Sequence, residues 1–209
     1  MAGKFPGKFI TFEGSEGCGK STQSKLLLEH LKSKGLPAKL IREPGGVAIS
    51  EKVRAILLDK SNTAMNKECE TLLYMASRAQ LVEEVIVPEL AKGTNLLCDR
   101  FLDSTLAYQG YGCGVDIQTI RTIGLFAAKG IVPDLTFFLD LDTEEGLRRH
   151  GRERDRIEMR SLEYHSQVRK GYREIAKMEP ARVVVIDGSK PKEAIFEIVR
   201  NHVEKLLGL

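Results

Sequence analysis

The 209-residue chain has no excess of charge of one sign: 32 Lys and Arg stand against 29 Asp and Glu, a formal charge of +3. That balance gives no support for general nucleic-acid binding, which draws its affinity from many neutralised phosphates. A long apolar run is also missing. Residues 1–8 (MAGKFPGK) are short and polar and lead directly into a first strand, so neither a signal peptide nor a membrane span is expected. The four cysteines, Cys18, Cys69, Cys98 and Cys113, form no C-x-x-C pair, and His30 alone lies near any of them. This disfavours a zinc site, and isolated thiols fit a reducing cytoplasm. There is no internal repeat, no linker, and no N-K-x-D string of the kind that reads guanine.

What is present is an ordinary globular composition, 42% hydrophobic and 29% charged, in a length that suits one α/β domain (1–209) with a sizeable core. Short apolar runs at Lys8–Glu13, Ala38–Arg42, Asn95–Cys98, Leu135–Leu141 and Arg182–Ile186 predict five strands. Amphipathic stretches at about 20–34, 48–58, 67–92, 116–129, 143–150, 160–178 and 191–207 predict helices between them. Nearly continuous apolar strands alternating with helices imply a parallel sheet covered by helices on both faces. Ligands of such sheets bind beyond the carboxyl ends of the strands.

At the first of those ends, Gly14-Ser15-Glu16-Gly17-Cys18-Gly19-Lys20-Ser21 has the form G-x-x-x-x-G-K-S, between a predicted strand and a predicted helix. Glycines let successive N–H groups converge on one anion, and the helix start adds open donors and the positive end of its dipole. In this pattern Lys20 reaches the β- and γ-phosphates of a nucleoside triphosphate and the Ser21 hydroxyl meets Mg²⁺. Cys18, beside a helix start and a lysine, is a candidate reactive thiol whose alkylation would block ATP binding.

Asp99 ends another apolar strand, where a carboxylate serves Mg²⁺ and its waters, and Arg100 follows it into the phosphate region. Residues 148–160 (RRHGRERDRIEMR) hold six arginines around Gly151. Phosphoryl transfer needs cations around the migrating group and needs water kept out. The phosphate loop carries Glu16 and no arginine, so the arginine-rich segment is expected to act as a lid. Glu16 is then a partner for one of its arginines on closure.

Taken in order, FEGSEGCGKS (12–21), REPGG (42–46), LLYMASRAQ (72–80), CDRFLDSTLAYQG (98–110), PDLTFFLDL (133–141) and DRIE (155–158) resemble bacterial thymidylate kinases over nearly the whole chain. The resemblance implies a P-loop NTPase fold, ATP and Mg²⁺ as donor and cofactor, dTMP as acceptor, and a homodimer. It implies that Glu13 and Asp99 organise Mg²⁺ and the phosphates, that Arg42 and Arg100 hold the acceptor phosphate, and that Arg54 approaches the acceptor. Tyr74 would stack on thymine, Arg78 would bond its O4, Thr105 and Gln109 would complete recognition, and Tyr108 would favour deoxyribose. Arg149, Arg152 and Arg154 compete for the transferred phosphate, with Arg152 favoured.

The helical pattern over 67–92 agrees in part. Leu72, Met75, Ala76, Ala79, Val82, Ile86 and Leu90 form a stripe expected to face the sheet, with Tyr74 and Arg78 one turn apart on its flank. A second strip, Leu81 and Val85, is expected to form a subunit interface. An arginine has only donors, so it suits thymine O4 and opposes cytosine's amino group. Other nucleoside monophosphates, or a deoxynucleoside with Glu13 as base, remain alternative acceptors, as does a nucleotide-dependent switch without turnover.

Overall fold

The computed structural model describes residues 5–149 and 155–209. Among them are five strands: β1 (Phe9–Glu13), β2 (Ala38–Arg42), β3 (Asn95–Asp99), β4 (Leu135–Asp140) and β5 (Val183–Asp187). They form one parallel sheet in the order β2-β3-β1-β4-β5. The chain winds to one side of β1 and then to the other. The turn after β1 therefore opens at the switch point where such sheets bind ligands. In register, Phe12 lies beside Asp99 and Asp99 beside Arg42. Three of the expected site segments thus leave the sheet at one level.

The helices are α1 (Lys20–Ser33), α2 (Ala48–Leu58), α3 (Lys67–Leu81), α4 (Val87–Ala91), α5 (Leu102–Thr105), α6 (Ile117–Ala127), α7 (Thr143–Arg149), α8 (Leu162–Met178) and α9 (Lys192–Leu207), with wider π turns at Val82–Ile86 and Leu106–Gly112. Strand side chains alternate between two apolar layers, as their period of two requires. Phe12, Leu97, Phe137 and Leu139 pack with Leu27 and Leu31 of α1 and Val199 and Val203 of α9. On the opposite face, Phe138 meets Val168, Tyr172 and Ile175 of α8. Phe9, Leu96 and Cys98 meet Ile86 and Leu90 there.

Two sequence expectations fail locally. The helix expected over 67–92 is α3, a π turn and α4, and its inward face matches the apolar stripe only in part: Met75, Val82, Ile86 and Leu90 are buried, but two of the stripe's residues in α3 are not. Leu72 is 58% exposed and Ala76 is exposed, whereas Glu70, Thr71, Ser77 and Arg78 are buried. Hydropathy cannot see that these polar groups find partners inside, which is what makes their burial tolerable. Beyond Leu81 the wider turn keeps Val82, Ile86 and Leu90, spaced by four, on the inner side. Leu81, expected at a subunit interface, is fully enclosed in the chain's own core, with Val85 packed against it. The second miss is the helical stretch 102–112, whose polar and glycine-rich sequence hides its periodicity.

Candidate active site

Gly14, Gly17 and Gly19 take φ values of 138°, 67° and 96°, which residues with a side chain rarely adopt. Close approach forbids a side chain as well: a Cβ on Gly17 would lie 2.1 Å from the Gly146 carbonyl oxygen. These glycines wrap the loop from β1 into α1, which starts at Lys20 with no side chain capping its amides. The Thr22 and Gln23 N–H groups donate to the Gly19 carbonyl, and those of Lys20 and Ser21 are left for an anion. The Lys20 ammonium folds back over its own loop, donating to the carbonyl oxygens of Gly14 at 3.1 Å and Ser15 at 2.7 Å. Among the described residues the buried Ser15 hydroxyl finds no hydrogen-bond partner. The Cys18 thiol points into the core beneath the loop and is 2% exposed. The expected reactive thiol is thus shielded from solvent, and its sulfur accepts from the Lys20 ammonium at 3.5 Å.

Beside the loop lies an open cleft of about 600 Å³, lined by Lys20, Ser21, Arg42 and Asp99 among others. The Ser21 hydroxyl donates to Asp99 Oδ2 at 2.5 Å. A hydroxyl and a carboxylate held together at a phosphate loop make a donor set for a hard divalent cation. Among the described residues no group of three or more His, Cys, Asp or Glu side chains gathers into a cage of its own. Glu13, the other expected metal residue, lines neither cleft. It is fully enclosed, and its carboxylate accepts from the Phe101 N–H at 2.6 Å, the Ser104 hydroxyl at 2.6 Å and the Tyr172 hydroxyl at 3.0 Å. Burial, reinforced by nearby Asp103, raises its pKa to about 7. Its place is behind the metal region, bracing the turn after β3.

That turn carries Arg100, whose backbone sits at φ 72°. Its guanidinium donates to Gly14 O at 2.9 Å, Ser104 Oγ at 3.2 Å and Tyr172 Oη at 3.2 Å, and Nη2 pairs with Glu16 Oε1 at 2.5 Å. Tyr108 donates to the same Glu16 oxygen at 2.9 Å and lays its ring under Arg100. Among the described residues Glu16 thus holds Arg100, while its expected pairing with a lid arginine involves Arg152 and Arg154, which lie outside them. Together with Arg54 and Glu43, Glu16 and Arg100 also line a second, narrower cleft. Two clefts thus meet at one arginine–glutamate pair.

The second cleft brings together Tyr74, Arg78, Thr105, Tyr108 and Gln109, as the sequence suggests, and Asp155, Ile157 and Glu158 line it too. Arg78 is 1% exposed. It donates through Nε and Nη2 to Glu43 Oε2 at 2.9 and 2.6 Å, through Nη2 to Thr105 Oγ1 at 3.0 Å, and through Nη1 to Met75 Sδ at 3.2 Å. Of its five N–H groups four are spoken for, so one remains for a ligand. Burial raises the Glu43 carboxyl above its ordinary range, with Arg78 opposing. Arg42 faces the phosphate cleft, paired with Glu51 at 2.8 Å, and Arg54 donates to Pro44 O at 2.8 Å.

Of the rival lid arginines, Arg149 lies beside the phosphate loop but is paired with Glu145 at 2.8 Å and the Gly188 carbonyl at 3.3 Å. Arg152 and Arg154 lie outside the described residues. Arg156 and Arg160 bind Glu70 and not the phosphate cleft. Sequence reasoning missed Glu43, Glu70, Ser104 and Tyr172. The first and third stand inside REPGG and DRFLDST, next to residues that were noticed. Tyr172 lies 159 positions from Glu13 and carries no local signal.

A family model described as thymidylate kinase matches residues 12–199. The chain is 46% identical over 202 residues to a thymidylate kinase of Caldanaerobacter subterraneus, covering 96% of this chain and 97% of the relative. It is 49% identical over 191 residues to one of Geotalea daltonii, covering 87% and 89%. A crystal structure of thymidylate kinase from Ehrlichia chaffeensis superimposes with a TM-score of 0.75 at 34% identity, covering 96% of this chain and 98% of that one.

Proposed function

Because the chain belongs to the thymidylate kinase family and phosphorylates dTMP, we propose that the donor is Mg·ATP, held at the phosphate loop, and that dTMP occupies the cleft of Tyr74 and Arg78. The observation that carries this reading is the meeting of the two clefts at Arg100, Glu16, Arg54 and Glu43. A donor phosphate at Lys20 and an acceptor phosphate at Arg100 then face each other across a short gap.

The acceptor oxygen is already anionic, so no base is needed, and catalysis is positioning plus charge neutralisation. This speaks against the deoxynucleoside alternative. Glu13, the base it requires, lines neither cleft and is occupied by three hydrogen bonds. Lys20 exchanges its loop carbonyls for donor phosphate oxygens, and the loop amides and first turn of α1 hold the same group. Ser21 and Asp99 fit Mg²⁺, which neutralises phosphate charge when bound. Arg100 turns from Glu16 to the acceptor phosphate. Arg42 and Arg54 add charge at the junction. Arg78 gives its remaining N–H to thymine O4, with the base against Tyr74 and Thr105 and Gln109 along its edge. Tyr108 stands near the sugar. Residues 148–160 act as the lid, with Arg149, Arg152 or Arg154 reaching the transferred group.

A homodimer is part of this reading, through a different face from the one the sequence suggested. Ile49 and Ile56 of α2, Leu72 of α3, and Leu125 and Phe126 of α6 are exposed apolar residues on neighbouring helices. A second copy covering them accounts for their exposure. No helix of the described residues is long and apolar enough to cross a membrane, and unpaired cysteines support a cytoplasmic setting. Incubation with an acceptor panel and Mg·ATP tests the assignment. dTDP and ADP should form together, dUMP should be used modestly, and dCMP poorly. Equal efficiency on dCMP and dTMP would remove Arg78 from base recognition.

A further inference from the structure

Glu70, in the first turn of α3, is fully enclosed although nothing in phosphoryl transfer calls for it. Its Oε2 accepts from Arg156 and from Arg160, each at 2.6 Å. Its Oε1 accepts from Gln109 Nε2 at 2.9 Å. A carboxylate is an acceptor only, so Gln109 must turn its amino end toward Glu70. The amide carbonyl is then the end left to accept a hydrogen bond in the cleft that Gln109 lines.

The two arginines belong to a strap, residues 155–160, of which Asp155, Ile157 and Glu158 line this cleft. Asp155 Oδ1 accepts from the N–H groups of Ile157 and Glu158 at 2.9 and 3.0 Å, making a compact turn. Ile157 is buried in the core beside Met75 and Tyr108. Arg156 also donates to the Leu57 carbonyl at 2.8 Å, at the end of α2. Arg160 stacks over Tyr164, 4.6 Å from the ring centroid. A buried carboxylate is tolerated only with such partners. Lifting the strap would strand it, so the strap and the amide of Gln109 are tied to one group.

We propose that Glu70 is a positioning residue for the acceptor: it orients Gln109 and seats the 155–160 strap over the cleft, so that acceptor binding and strap seating are linked. This rests on the reading that the cleft takes dTMP. It is tested on the full chain with Glu70→Gln and Arg160→Gln, by steady-state kinetics in dTMP and in ATP together with denaturant unfolding. Glu70→Gln should raise KM for dTMP about tenfold, the scale of one charge-assisted hydrogen bond. KM for ATP and kcat should stay within about threefold. Arg160→Gln alters a partly exposed side chain and leaves Arg156 in place, so it should fold normally and raise the same KM by a smaller factor. It carries the test if Glu70→Gln does not fold. Wild-type KM for dTMP in the folded variants, with any loss of rate tracking loss of folded protein, would overturn the proposal. Wild-type protein that makes no dTDP would instead overturn the reading of the cleft, and this assignment with it.

Discussion

Replacing Arg78 by Met separates the two roles the structure gives that side chain. Arg78 and Glu43 form a buried pair, 1% and 5% exposed at their side chains, with two N–H groups on one carboxylate oxygen. Met fills a similar stem but leaves Glu43 charged and unpaired. Breaking one side of a buried pair costs about 3–5 kcal/mol. The loss should depend on pH with a definite sign. Burial already raises the Glu43 carboxyl and Arg78 is what opposes that rise, so its removal lifts the folded pKa further. A carboxyl whose folded pKa exceeds its unfolded value destabilises the fold fully above the folded pKa, and not at all below the unfolded one. The deficit of Arg78→Met should therefore be largest near pH 8 and shrink toward pH 5. Adding Glu43→Gln should recover much of the stability. Base discrimination should not return with it, because the N–H aimed at thymine O4 is still missing. Urea unfolding at the two pH values and kcat/KM for dTMP and dCMP read both effects. A variant as stable as wild type at pH 8, a deficit independent of pH, or intact discrimination would refute this account.

Lys20→Ala should lower kcat by about a hundredfold or more, as loss of a transition-state donor does, while equilibrium binding of dTMP stays within about threefold. Asp99→Asn should move the Mg²⁺ concentration for half-maximal rate upward, since Ser21 then loses its carboxylate partner. A maleimide should label exposed Cys69 and spare buried Cys18 in the native protein, with activity retained; peptide mapping of the product checks this. Phe126→Glu should yield monomers by sedimentation velocity, because that residue is 86% exposed on the proposed dimer face.

The strands, their order of appearance and the phosphate loop were legible because each depends on local pattern: β-type apolar runs, and glycines at a strand-to-helix turn. The acceptor cleft was legible only in its named residues. Its counter-charges were not, because Glu43 with Arg78, Glu51 with Arg42, and Glu16 with Arg100 are pairings between elements. Periodicity misassigned α3 for a related reason. Glu70 and Arg78 are buried by satisfied ion pairs, and no hydropathy scale distinguishes a satisfied charge from a solvated one. Leu72 then took an inward place on paper and an outward one in the fold. The stretch 102–112 escaped notice because its helix is held by contacts with α8, not by its own propensity.

A crystal structure with dTMP and a non-hydrolysable ATP analogue bears most directly on the meeting of the two clefts. The thymine should lie against Tyr74 with O4 toward Arg78, the 5′-phosphate should hold Arg100 in place of Glu16, and the terminal phosphate of the analogue should stand at Lys20 in line with it. A thymidylate found elsewhere, or held with Arg100 still on Glu16 and its phosphate out of reach of the donor, would contradict the account.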